Sequence, residues 1–203
     1  MHMFQESEEK MIKRLSGHAG NIIDMLKAVF KTPRGSDIRM VLIFASGLAG
    51  CACHEAVIKE KGCFAIVSTK NGKRFYFGDD VNKYLLESRL SVVGSCQAVT
   101  DVTQEEVMEI VSSFAENVGN SDLAICGFQI GMLYKQIKQC WDGIFNNMTN
   151  AYCKSPSEWP VLYGIVTQEV LRQAMSVGAP SKEAGKMAIE CAVAISKMDK
   201  DSI

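Results

Sequence analysis

The sequence predicts a mainly α fold: a single-domain multi-helix bundle carrying one β-hairpin at about 63–77. Three observations predict it. Apolar residues recur at helical spacing along most of the 203 residues, capping residues stand at the heads of those stretches, and one β-branched and aromatic passage is interrupted by Asn-Gly. Hydrophobic residues make up 47% of the chain, enough for one core, which excludes a disordered chain. Lys+Arg (22) and Asp+Glu (23) nearly cancel, so no basic excess exists to displace counterions from nucleic acid.

An amphipathic helix, or a broken pair of helices, is expected over 6–31, where Met11, Ile12, Leu15, Ala19, Ile22, Leu26, Val29 and Phe30 recur at helical spacing. Gly17 and Gly20 predict a kink in it, and Pro33 ends it. Ser36 and Asp37 then offer N-cap oxygens to a helix at 37–60, apolar on nearly every side through its first half and therefore central. Gly62 is its expected left-handed cap. Its apolar run, Met40 to Cys53, falls short of the roughly 20 residues of a membrane span.

Cys63–Thr69 and Arg74–Phe77 read as strands around Lys70-Asn71-Gly72-Lys73. A two-residue type I′ turn there would pair Val67 with Tyr76 and Ile66 with Phe77. Asp79 is expected to cap a helix over 80–98, and Thr103-Gln104-Glu105-Glu106 is a capping box for a helix ending near Val118, with Gly119 past its end. Residues 119–129 read as a loop and 130–150 as a helix. Past the corner at 155–160, a helix begins near Pro160 and ends at Gly178 and Pro180. Ser181 caps the last one, whose stripe runs from Ala184 to Met198. Residues 1–5 and 199–203 are expected to be disordered, and no linker divides the chain, so 1–203 is one domain.

Eight cysteines in a chain whose N-terminus is polar and acidic read as reduced thiols, mostly small buried hydrophobes, in a cytoplasmic protein. Cys51, Cys53 and His54 could form a thiolate–imidazole metal site, but the usual Cys-x-x-Cys pairs are missing. Ile58 also stands where a zinc-protease helix carries its second histidine. Buried thiols are the simpler reading, and no cofactor is expected. With only His2, His18 and His54 available, nothing marks an activated Cys–His pair. Walker, dinucleotide-binding and nucleophile-elbow motifs are absent.

The polar stretch from Asp79 to Arg89, with Tyr76 before it, is the best candidate for a site. Asn82, Glu87 and Arg89 adjoin an apolar strip of Leu85, Leu86 and Leu90. The paired carboxylates Asp79 and Asp80 could serve acid–base chemistry or a divalent cation, but capping aspartates and a solvated Glu–Arg face are the simpler reading. Trp159 and Tyr163 at the proline corner could anchor an interface, although such aromatics usually belong to the core.

Phe75-Tyr76-Phe77-Gly78-Asp79-Asp80-Val81-Asn82, continuing through Leu85-Leu86-Glu87-Ser88-Arg89-Leu90-Ser91-Val92, resembles a family of uncharacterised bacterial proteins. Trp159-Pro160 ahead of a glycine-containing helix is similar in the same way. The resemblance covers about a quarter of the chain. It implies a bacterial cytoplasmic origin and no catalytic residue.

Two functions follow as expectations. The first is a non-enzymatic protein acting by self-association, as a homodimer, or by binding a protein partner, because wide apolar arcs and a lone hairpin need covering. The second is a small-molecule-binding or enzymatic domain. Its pocket would lie between the hairpin and the 80–98 helix, with Tyr76, Asn82, Glu87 and Arg89 converging on it.

Overall fold

The computed structural model describes residues 6–70, 72–118, 120 and 123–203, and it is mainly α. The expected disorder of residues 1–5, the glycine at 119 and the Asn71 half of the hairpin turn lie outside the described residues.

Helix α1 (Glu8–Val29) starts at Ser7, whose side chain accepts from the Lys10 amide at 3.4 Å. It is one uninterrupted helix, so the kink expected at Gly17 and Gly20 is absent. Pro33 then sits in a tight turn between the two-residue strands β1 (Lys31–Thr32) and β2 (Gly35–Ser36). Helix α2 (Ile38–Lys59) is capped by Asp37, whose Oδ1 accepts from Arg39 and Met40 at 3.1 Å each. Every residue from Val41 to His54 is buried. Helix α2 is long and apolar enough to cross a membrane by length and composition, but 89% of its most apolar window is buried inside the protein. At its end Lys61, not Gly62, takes the left-handed turn (φ 57°), and the Gly62 amide reaches back to the Val57 carbonyl at 2.9 Å. Gly62 is needed for space: a Cβ there would lie 2.9 Å from Asp80 Oδ2 and from Val57.

Strands β3 (Ala65–Ser68) and β4 (Arg74–Phe77) form the expected hairpin with a register one residue away from the sequence reading. Val67 pairs with Phe75 and Ile66 with Tyr76. The loop is three residues long: the Thr69 amide bonds the Lys73 carbonyl at 2.9 Å and Gly72 supplies the positive φ. The two-residue turn with positive φ at both central positions occurs elsewhere, at Cys126 (54°) and Gly127 (85°). It joins β5 (Ala124–Ile125) to β6 (Phe128–Gln129), inside the segment read as loop. A third short hairpin, β1–β2, also departs from the single one expected.

The helix expected over 80–98 is two. Helix α3 (Asp79–Leu85) follows Gly78, so Asp79 is its first residue rather than its cap. Helix α4 (Val92–Gln97) begins after a serine-rich turn. Ser91 Oγ donates to the Ser88 carbonyl at 2.6 Å and accepts from the Gly94 amide at 3.0 Å, which stops one helix and starts the next. The capping box opens α5 (Gln104–Glu116) as read.

Helix α6 (Ile130–Cys140) runs through a π segment (Trp141–Phe145) into α7 (Asn146–Tyr152). Ile137, Trp141, Phe145 and Thr149 are all buried, one every four residues. Four α-helical steps overshoot one turn by about 40°. The wider π turn takes up that overshoot and keeps the stripe facing inward. Helices α8 (Glu158–Ser176) and α9 (Ser181–Ser196) flank α2, with α1 and α6 completing its cover. Pro180 stands at the N-cap of α9, and the Ser181 hydroxyl, expected to cap it, instead accepts from the Asp101 amide at 3.1 Å. The segment after α9 is not disordered: Lys200–Ser202 form a 3₁₀ turn, Ser202 is buried, and Asp201 pairs with Arg74 at 2.7 Å.

Candidate functional site

The structure scatters the residues singled out by sequence. Glu87 and Arg89 are exposed, and Arg89 pairs with Glu8 of α1. Asp79 is exposed at the head of α3. Trp159 and Tyr163 are core: both pack on Trp141, with ring centroids at 5.9 and 5.6 Å, and the Tyr163 hydroxyl meets Thr149 Oγ1 at 3.0 Å. Among the described residues, none of the main cavities is lined by Tyr76, Asn82, Glu87 or Arg89.

Tyr76 and Asn82 do share a neighbour that sequence reasoning missed. Lys197 is 3% exposed, its Nζ donates to Asn82 Oδ1 at 2.7 Å, and its carbonyl accepts from the Tyr76 amide at 2.9 Å. The ammonium also lies 5.6 Å from the Phe77 ring centre. No carboxylate among the described residues pairs with it, and burial pulls its pKa down to about 8. Above it, the Tyr76 hydroxyl donates to Asp201 at 3.3 Å. Burial and the nearby Asp199 and Asp201 push its pKa up to about 12.

Cys51 and Cys53 sit on different sides of α2, the first toward Glu55 and Lys138, the second toward Lys197. Among the described residues no group of three His, Cys, Asp or Glu side chains is placed to hold a metal ion. All eight cysteines are free thiols, and burial pushes Cys51, Cys53 and Cys191 upward and Cys96 to about 12. In Cys191 a contact with Cys126 contributes most. Iodoacetamide at neutral pH is therefore expected to label exposed Cys63 in the folded protein. Cys51, Cys53, Cys96 and Cys191 should react only after denaturation, as peptide mass mapping would report.

His54, the third member of that cluster, points to different chemistry. It lines a cleft of about 410 Å³ between the C-terminal half of α2, helix α6 and the 199–203 segment. Its ring is stacked on Phe64 at 4.8 Å and touched edge-on by Tyr76 at 5.5 Å. Nδ1 lies 3.1 Å from the Ser196 carbonyl, which can only accept, so Nδ1 carries the hydrogen. Burial lowers the His54 pKa, opposed by that bond, and the imidazole is neutral at pH 7. Nε2 then holds a lone pair for which no protein donor exists among the described residues.

Tyr134 lines the same cleft from α6, is 4% exposed, and its hydroxyl has no partner among the described residues. Burial first, then the neighbouring Cys51, Asp199, Glu55 and Asp142, push its pKa up, so the hydroxyl keeps its proton. Beside it, Lys138 Nζ bridges Glu55 at 2.9 Å and Asp142 at 2.6 Å. Burial alone would lower the Lys138 pKa, but the bonds to Asp142 and Glu55 outweigh it and the net shift is upward. Ile58 and Ile203, about half exposed, form apolar walls.

A second groove, of about 340 Å³ between α5 and α9, has a different character. There Glu106 is tied to Lys186 at 2.8 Å and Lys182 at 3.2 Å, and those bonds hold its carboxyl at about 2. Glu106 is thus spent on two lysines while Glu109 and Glu190 leave the lining net acidic, whereas the His54 cleft carries an acceptor and a donor that no other described protein group engages. Of that cleft, sequence reading reached only the stretch of α2 around His54, including Ile58. Tyr134, Lys138 and Asp142 carry no signal of their own, because 79 or more residues separate them from Glu55 and His54. Comparison with protein-family models, curated proteins and solved structures returned no match to this chain.

Proposed function

We propose that the protein is a non-enzymatic binder of a small organic molecule, held in the cleft of His54 and Tyr134. The observation that carries this reading is the pairing of an imidazole lone pair and a phenolic O–H, neither bonded to another protein group among the described residues, on one mostly apolar recess. A few polar groups placed on apolar walls are what orient a ligand. Binding is favoured over catalysis because Lys138 is engaged by two carboxylates and burial keeps the Cys51 thiol protonated, so neither is an activated nucleophile. The free thiols fit a reducing, cytoplasmic setting.

A thermal-shift screen of a metabolite library, run on the wild type and on Ile58→Glu, tests the reading. Ile58 is exposed on the cleft wall, so the variant blocks the recess without disturbing the core. Compounds that raise the wild-type midpoint and leave the variant unmoved are expected. Stabilisation of both proteins alike would contradict the assignment.

One observation favours self-association as a second reading. All four residues of β3 are exposed, Ile66 and Val67 among them, so its outer edge can accept a strand. The wide apolar arc of α2, by contrast, is covered within the chain by α8 and α9. Light scattering at micromolar concentration should give a dimer that Val67→Lys converts to monomer; a wild-type monomer would remove this reading.

A further inference from the structure

The polarity of the two unpartnered groups narrows the ligand, given the binding reading above. We propose that the cleft receives the edge of a lactam or cyclic amide, its N–H donating to His54 Nε2 and its carbonyl accepting from the Tyr134 hydroxyl. The Ser196 carbonyl fixes the hydrogen on Nδ1 and thereby makes Nε2 an acceptor only. Tyr134, set among Glu55, Asp142 and Asp199, keeps its proton and serves as the donor. One acceptor and one donor in the same recess complement a group carrying a donor and an acceptor side by side, which a secondary cyclic amide does and a carboxylate, a phosphate or an ether does not.

Charge points the same way. The cleft is lined by Glu55, Asp142 and Asp199 and by Lys135, Lys138 and Lys200, three of each sign, so it has no net field to attract an ion. Ile58 and Ile203 offer the ring of such a ligand an apolar bed.

The test uses valerolactam and N-methylvalerolactam, titrated into isotope-labelled full-length protein and followed by the imidazole ¹⁵N and backbone amide resonances. Valerolactam should shift the His54 Nε2 resonance and the amides of α6. N-methylation, which removes the donor and keeps the ring, should weaken binding by about tenfold or more. Tyr134→Phe, which keeps the ring packing, should weaken valerolactam by roughly fivefold to tenfold. Equal affinity for the two lactams, or shifts that map away from His54, would overturn the inference. If other compounds occupy the cleft and valerolactam does not, the lactam edge is wrong and the binding reading survives. If nothing occupies the cleft, both fall.

Discussion

Gly50→Ala is expected to destabilise the fold by roughly 3 kcal/mol or more, or to prevent folding altogether. A Cβ at Gly50 would lie 2.4 Å from the Ala192 carbonyl oxygen and 3.0 Å from the Ser196 amide nitrogen. Both are backbone atoms of α9, so no side-chain rotation relieves the clash and the two helices must separate. The buried small residues Ala192 and Ser196 of α9 lie opposite Gly50, which is where the pair is packed closely. The same substitution in α1 should have the opposite sign. At Gly20, exposed in mid-helix, a Cβ meets nothing within 4 Å, and Gly20→Ala should gain about 0.5–1 kcal/mol from helix propensity alone. Urea unfolding of the two variants gives both numbers in one experiment.

Lys197→Met is expected to stabilise the protein at neutral pH, by about 1–3 kcal/mol. The wild-type ammonium is buried with one amide oxygen and one ring for company, and no carboxylate offsets its lost hydration. The pH dependence distinguishes this cause from better packing. Burial lowers the folded-state pKa to about 8, against an ordinary value of 10.5. Below pH 8 both folded and unfolded chains carry the proton, so the full penalty of a buried charge is present. Above pH 10.5 both are neutral and the penalty is gone. The advantage of the methionine variant should therefore shrink as pH rises through that window and nearly vanish at its upper end. Denaturant titrations at pH 7 and about pH 10 check it. A variant less stable than wild type at pH 7 would show that the Asn82 bond outweighs the desolvation.

The fold class was legible because it rests on composition and period. The all-round apolarity of α2 marked it as central, and it is buried from Val41 to His54. The capping box at Thr103 and the cap at Asp37 are local chemistry and appear as read. Errors arose where two local rules compete. Ser88 and Ser91 turn a continuous apolar stripe into two short helices, because their hydroxyls bond neighbouring backbone groups in place of the helix ladder. Asn-Gly at 71–72 marked a turn correctly but not its length, and one extra loop residue moved every pairing by one.

The site was mostly illegible for a different reason. His54 drew notice through its cysteine neighbours, which suggested metal chemistry. Its behaviour is set instead by a carbonyl 142 residues away and by a tyrosine on another helix. Tyr76 and Asn82 were chosen for a pocket with Glu87 and Arg89, yet what they meet is Lys197, a residue that in sequence closes an ordinary helix. Long-range pairs of this kind leave no periodicity behind.

Recognition in the cleft turns on the state of one imidazole. Side-chain ¹⁵N spectra of His54, recorded between about pH 5 and pH 8, should show one protonated and one bare nitrogen through neutral pH, with the proton on Nδ1 and the ring titrating below the ordinary histidine value. A ring that is doubly protonated near neutrality, or that carries its single proton on Nε2, would contradict it.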